Sequence, residues 1–218
     1  MQGWNLPPDE HILKKPVLGS ASRVTKTIEA LKENGINAFV VDNGQEAKRK
    51  VLEMIPEGSE VMNMTSVTVD SIGLSKEINE SGKFDSVKNK LAKMDRKTQN
   101  LKMQRIGAAP EWAVGSVHAV TEDGSVVIGS NSGSQLPGYA YGASNVVWIV
   151  GTQKIVKNLD EGVKRVYEHV LPLESERARK AYGLPETYNS FVSKLLIFNR
   201  EIGPQRITLI FVKEVLGF

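Results

Sequence analysis

The chain has no cysteine among its 218 residues. That excludes disulfides, thiolate zinc sites, a cysteine nucleophile and any self-held cysteine-ligated iron–sulfur cluster, and it suits the reducing cytoplasm, the expected location. Long apolar runs are missing too. No stretch approaches the roughly 18 apolar residues of a spanning helix, and the opening MQGWNLPPDEHILKK has no apolar core of signal-peptide length, so no membrane insertion is expected. Charge of one sign is scarcely in excess: 28 basic against 25 acidic residues give a formal +3 despite a pI of 9.0. The one local surplus is Lys83, Lys88, Lys90, Lys93, Arg96, Lys97, Lys102 and Arg105. Asp85 and Asp95 dilute it and no aromatic stacking series is interleaved, so it reads as a solvated helix face and no nucleic-acid partner is expected. No Gly-x-Gly-x-x-Gly follows a strand, and neither a Walker lysine loop nor a Gly-x-Ser-x-Gly elbow is present. His11, His118 and His169 lie far apart without metal-ligand spacing, so no metal site is expected.

What is present is an ordinary globular composition, 40% hydrophobic and 24% charged, enough for one sizeable α/β domain. Residues 1–19 read as an irregular arm because Pro7-Pro8 and Pro16 interrupt helix. Residues 20–218 read as the domain, with a charged helical insertion at about 81–112. Ser20 or Ser22 can cap a helix carrying Val24, Ile28 and Leu31 at helical spacing, and Asn34-Gly35 ends it. Ile36–Asp42 is a short apolar run of the kind found in buried parallel strands. A helix over Glu46–Ile55 stopped by Pro56, a strand over Glu60–Met64 and a helix over Val67–Ile78 follow. This alternation points to a parallel sheet covered by helices. Residues 81–112 are expected to form one long helix and a loop to Pro110. Ser116–Val120 and Val126–Gly129 flank Asp123-Gly124, a tight-hairpin signal, so this part of the sheet should be antiparallel or mixed. Further elements are a helical turn after Ser132, a strand over Val146–Val150, helices over Leu159–Val170 and Glu174–Tyr182, and a strand over Ile207–Val212.

Four segments carry the chemistry. Between two β-type runs, Ser130-Asn131-Ser132-Gly133-Ser134-Gln135 gathers hydroxyls, amides and a glycine, which suits an anion- or carboxylate-binding loop ahead of the plainer helix-capping loop. Asn63-Met64-Thr65-Ser66 puts an amide and two hydroxyls at a strand's C-terminal end, where open α/β sheets bind ligands; the plainer reading is an N-cap by Thr65 or Ser66. Glu122 and Asp123 are adjacent carboxylates in a turn. Either could serve catalysis as acid, base or acyl acceptor, or both could simply be solvated. In Gly151-Thr152-Gln153-Lys154 a buried strand empties into a lone cation that could hold a phosphate or carboxylate, or form a surface ion pair. His118 reads as a hydrogen-bonded core or rim histidine rather than a base.

From Ala113 to Leu173, the strand pair AVGSVHAVTEDGSVVIGS, the SGSQLP loop, the turn Gln153-Lys154-Ile155-Val156 and the helix LDEGVKRVYEHVLPLE, with Arg177 after it, resemble the LUD-domain family, named for bacterial lactate-utilisation proteins. The resemblance implies a three-layer α/β/α fold like that of CoA transferases and sugar-phosphate isomerases. It also implies the cluster-free subunit of a system that oxidises L-lactate to pyruvate beside iron–sulfur protein partners. Many members have Glu-Thr-Gly-Thr where this chain has Glu122-Asp123-Gly124-Ser125. The expected function is thus in organic-acid metabolism, binding a small carboxylate or phosphate through Asn63, Thr65, Ser66, Ser130, Asn131, Ser132, Gly133, Ser134, Gln135, Gly151 and Lys154, with no permanently bound cofactor. The alternative is a stand-alone isomerase or CoA-transferase-like enzyme using Glu122 or Asp123 with Lys154. A homo-oligomer is compatible with either. Both loops should face one cleft, with Glu122 at its rim.

Overall fold

The computed structural model describes residues 16–218; the first fifteen residues, with His11 and Pro7-Pro8 of the expected arm, lie outside the described residues. Six parallel strands form the main sheet in the order β1 (Asn37–Val41), β10 (Ile207–Val212), β7 (Asn145–Gly151), β4 (Trp112–Gly115), β2 (Glu60–Asn63) and β3 (Asp85–Ser86). Its central strands are buried on both faces, as the unbroken apolar runs require. Along β7, Val146, Trp148 and Val150 face one core while Val147 and Ile149 face the other.

Helix α1 (Ala21–Glu33) packs on the first face through Val24, Ile28 and Leu31, capped by Ser20 as its sequence signals. Gly35 after it takes φ +78°, a left-handed conformation that suits glycine. On the opposite face lie α2 (Gly44–Met54), α3 (Val67–Ser71) and α4 (Leu74–Glu80), supplying Ala47, Val51, Val69, Leu74 and Ile78. The helix expected over Val67–Ile78 is divided in two at Gly73, which has φ +71°. The result is the three-layer α/β/α arrangement the sequence pointed to.

The antiparallel pairing belongs to a second sheet, in the order β8 (Ile155–Val156), β5 (Ala119–Thr121), β6 (Val126–Ser130) and β9 (Lys194–Phe198). The hairpin at Asp123-Gly124 is present, with β5 and β6 antiparallel and Gly124 at φ +84°. This sheet lies on the α1 side of the main sheet, and Trp148 of β7 meets Phe198 of β9 edge to face at 5.6 Å. Its outer face carries α7 (Leu159–Arg165), which runs through a π turn (Val166–Val170) directly into α8 (Leu171–Tyr182). The two helices expected there are one continuous rod. Pro172 lacks the N–H that would serve the Glu168 carbonyl, and the backbone widens just before it, where the Leu171 N–H reaches the Val166 carbonyl.

The 81–112 region is not one long helix. It holds the edge strand β3, α5 (Val87–Ala92) and α6 (Arg96–Ala108), because Ser86 and Asp95 each cap the start of a separate helix. Strand β4, which the sequence did not announce as a strand of its own, runs in the middle of the main sheet. No helix among the described residues is long and apolar enough to cross a membrane.

Candidate functional site

Two neighbouring strands leave the main sheet together. β4 and β7 pair in parallel up to Gly115 and Trp148. Their chains then cross to the second sheet, where they pair again as β5 and β8, starting at Val120 and Ile155. The crossing segments are Ser116-Val117-His118 and Thr152-Gln153-Lys154, the latter a single 3₁₀ turn. Pairing is interrupted there, so backbone groups that a ladder would satisfy need other partners. One of them is served by Lys154: its Nζ donates to the Val117 carbonyl at 3.2 Å, and also to Thr68 Oγ1 at 3.0 Å and Ser116 Oγ at 3.1 Å.

Lys154 is only 1% exposed. Among the described residues it pairs with no carboxylate. Burial, and then the Arg165 guanidinium, hold its pKa well below 10.5. Arg165, on the last turn of α7, donates from NH1 to the His118 carbonyl at 2.7 Å, while its buried NH2 has no partner among the described residues. Burial pulls Arg165 down to about 10, which leaves it charged at neutral pH. A lysine amine and a guanidinium therefore lie near one another in the interior, and among the described residues neither pairs with a carboxylate; burial works against the charged form of both.

Lys154 and His118 line a cavity of about 330 Å³. One wall is the β2–α3 turn with Thr65, Ser66 and Thr68. Another is the β6 end and its loop with Ser130, Asn131, Ser132, Ser134 and Gln135. Val166, Val170 and Leu171 of the long helix make an apolar side, and Glu174, Arg177 and Tyr182 stand further along α8. Tyr139, on a π turn (Gly138–Gly142), also lines the cavity, and burial raises its pKa. The NMTS turn and the SNSGSQ loop thus share one concave space, as expected from their strand-end positions.

Not every residue read as a ligand contact is there. Asn63 is fully buried, but it shares its face of β2 with Val61, toward α2–α4, and its amide has no partner among the described residues. A Cβ on Gly133 would meet Lys194 at 2.5 Å, and one on Gly151 would meet Gln153 and the Glu214 backbone, so these glycines serve turns and close packing. Ser66 caps α3. The 130–135 loop spends many of its donors on itself: Ser130 Oγ accepts from the Gly133 N–H and donates to Gln135 Oε1, and Ser132 and Ser134 bond to each other. Both loops therefore cap as well as line.

Glu122 and Asp123 lie outside the cavity. Glu122 pairs with Arg23 at 2.7 Å and Lys26 at 3.1 Å, both on α1, and hydrogen bonds from Lys26 and then Arg23 hold its pKa below the usual carboxylate value. The Asp123 carbonyl accepts from Asn34, and its carboxylate takes the Thr121 hydroxyl. The hairpin turn is thereby fastened to α1, which leaves these groups no cavity to work in. The carboxylates that do line the space are also engaged: Asp70 with Ser75, and Glu174 in a two-bond pair with Arg177 at 2.7 Å for each bond.

Arg165 and Thr68 did not stand out in the sequence. A signal for Arg165 exists in LDEGVKRVYEHV, where Arg165 and His169 are four apart and so share a helix face, beside the inward-facing Gly162, Val166 and Val170. His118 is not within a strand but at a bend between β4 and β5.

A model of the LUD domain matches residues 24–212 of the chain. No curated protein shows significant sequence similarity to it. In three dimensions it is similar to a DUF162 family protein from Deinococcus radiodurans, known from a crystal structure at 1.70 Å resolution. The TM-score is 0.55 at 12% identity, over 90% of this chain and 99% of the other. That similarity is one of fold.

Proposed function

Because the chain belongs to the LUD-domain family, we propose that it works in organic-acid metabolism and holds a small carboxylate or phosphate in the cavity at Lys154. The observation that carries this reading is a buried lysine amine ringed by neutral oxygens with no carboxylate partner among the described residues. An anion entering the cavity supplies the missing charge, and a low local dielectric strengthens the attraction. The apolar side formed by Val166, Val170 and Leu171 suits a short carbon chain. The finer reading is that of the cluster-free subunit of an L-lactate-oxidising system in the cytoplasm. Oxidation of L-lactate to pyruvate releases two electrons and two protons. With no cysteine to hold a cluster, this chain would position the acid and an iron–sulfur protein partner would take the electrons.

Titration calorimetry with L-lactate, pyruvate and inorganic phosphate tests the binding, with Lys154→Met as the control that should not bind. Failure of all three to bind the native protein sinks the reading. Growth of the host on lactate with the Lys154→Met allele tests the pathway: undiminished growth removes lactate. The stand-alone isomerase or CoA-transferase alternative needs a free carboxylate in the cavity, and Glu122 and Asp123 are tied to α1 or to their own turn.

A further inference from the structure

His118 is the remaining polar group on the Lys154 wall, and its tautomer follows from one contact. Nδ1 accepts the Gly129 N–H at 2.9 Å. A ring nitrogen that accepts is unprotonated, so the proton of the neutral imidazole sits on Nε2. The ring lines the cavity, and Nε2 makes no hydrogen bond to any described residue. Its setting is otherwise closed. The His118 N–H goes to the Val127 carbonyl at 3.0 Å, and its own carbonyl takes Arg165 NH1 at 2.7 Å. Gly129 cannot gain a side chain to shift the ring, because a Cβ there would lie 2.9 Å from Val166 Cγ1. The imidazole is thus fixed by backbone on both sides of the hairpin, and on this cavity-lining ring Nε2 is left without a partner among the described residues.

Charging the ring would require a second N–H at Nδ1, facing the Gly129 N–H, close to Lys154 and Arg165. Burial, then Lys154 and Arg165, accordingly lower its pKa to about 3. The groups that bear on it are therefore cationic. At neutral pH this histidine neither gives up nor takes on a proton, but it does offer a hydrogen bond.

We propose that the Nε2–H of His118 is the second recognition element of this site, binding an acceptor oxygen of the ligand other than the group balanced by Lys154. The inference rests on the reading of the cavity as an anion site and narrows its ligand class to small acids with a further acceptor oxygen, such as 2-hydroxy and 2-oxo acids. Simple alkanoates lack that acceptor. His118 acts here as a specificity-determining donor and not as a base.

The test is titration of wild-type protein, His118→Asn and His118→Gln with L-lactate, pyruvate and propionate. Asparagine can still accept the Gly129 N–H but has no donor at the Nε2 position; glutamine carries an amide N–H at about that reach. Wild-type protein should prefer lactate and pyruvate to propionate by about tenfold, as expected for one hydrogen bond to a ligand in a buried site. His118→Asn should lose that preference while keeping its propionate affinity, and His118→Gln should retain most of it. In wild-type protein, the imidazole ¹⁵N resonances should report a neutral Nε2–H tautomer from pH 5 to 8. Equal preference in wild type and His118→Asn, alongside loss of binding in Lys154→Met, overturns the role of His118 and leaves the anion site standing. A ring that titrates near pH 6.5, or is protonated at Nδ1, also overturns it. Absence of binding by wild-type protein to every acid overturns both.

Discussion

Replacing Lys154 with methionine separates a lysine kept for a ligand from one kept for the fold. The substitution roughly preserves length and apolar stem and removes the charge. In the native protein the ammonium has three oxygen partners, no carboxylate among the described residues, and a nearby guanidinium that opposes it. The folded pKa is depressed below the unfolded value of 10.5. Between the two values the unfolded chain binds more protons, so stability should rise with pH across that window, and the charge destabilises the fold below it. Exchanging buried ionic groups for apolar residues of like volume is neutral or stabilising by about 1–4 kcal/mol. Against this, the Val117 carbonyl loses its donor, at about 1–3 kcal/mol, whereas the Thr68 and Ser116 hydroxyls can turn. The net expectation for Lys154→Met lies within about 3 kcal/mol of the native protein in either direction, or up to roughly 12 °C in Tm for a chain this long. A ligand present at about a hundred times its Kd stabilises the native state by about 2.7 kcal/mol, roughly 5–10 °C. Scanning fluorimetry with L-lactate, pyruvate or phosphate should show that rise in the native protein and none in the variant. A variant that melts well below the native protein, yet shows the same ligand-induced rise, would refute the reasoning and make Lys154 a structural residue.

Four further outcomes follow from the same geometry. Gly115→Ala would place a Cβ 1.8 Å from the Tyr139 hydroxyl, so urea unfolding should show a loss of about 1–3 kcal/mol or more, the usual scale of overpacking, together with weaker ligand binding. Arg206→Met leaves Glu201, whose side chain is 7% exposed, without its 2.7 Å partner and frees the Tyr139 and Ala143 carbonyls; a loss of about 3–5 kcal/mol is expected, read by the same method. Glu122→Gln should leave ligand affinity unchanged in calorimetry. Its folded pKa is depressed, so the native contribution of this pair is present above the unfolded value of 4.5 and lost as pH falls through the folded one; the variant should lack that acid sensitivity. His118 has a folded pKa of about 3 against 6.5 unfolded. Stability should therefore decline as pH falls below 6.5 in native protein, and His118→Asn should flatten that slope in pH-dependent denaturation.

The elements with a clean period and a cap were legible in the sequence: α1 with Ser20 and Asn34-Gly35, β1 and β10 as unbroken apolar runs, the hairpin at Asp123-Gly124. What failed to show was anything set by tertiary context. WAVG at 112–115 is too short to declare itself as a central strand, and only its neighbours β2 and β7 make it one. KLLIF at 194–198 becomes a strand by pairing with β6, far earlier in the chain. The division of the pairing into two sheets was hidden as well, since β4–β5 and β7–β8 each read as a strand running into a turn. For the site, the loops were found by composition and Lys154 by its position after a buried strand, while Glu122 attracted attention for its chemistry and proved to be an anchor. Residue type announces what a side chain can do. Its partners decide what is left for it to do, and Arg23 and Lys26 on α1, close to a hundred residues away, could not be read from the turn itself.

The place of the cavity follows from the way the two sheets divide. Gly115 faces Trp148 across the main sheet, and Val120 faces Ile155 across the second. One chain covers that break in five steps, the other in seven, and the two extra residues are taken up by the 3₁₀ turn at Thr152–Lys154. Two chains of unequal length cannot keep a ladder, so the break opens a gap and leaves backbone acceptors such as the Val117 carbonyl facing it. Filling that gap with an apolar side chain would strand those acceptors at a cost of about 1–3 kcal/mol each; a lysine reaching across satisfies them but brings an uncompensated charge inside. The fold is thus closed locally by a group that has no carboxylate partner among the described residues, and in the proposed reading an anion from outside completes it. The same break leaves His118 at the last residue before pairing resumes, its ring held by the neighbouring strand and its Nε2 without a partner among the described residues. The proposed binding site at this point needs no separate invention in the sequence. It is what remains when two parallel strands change sheets out of step.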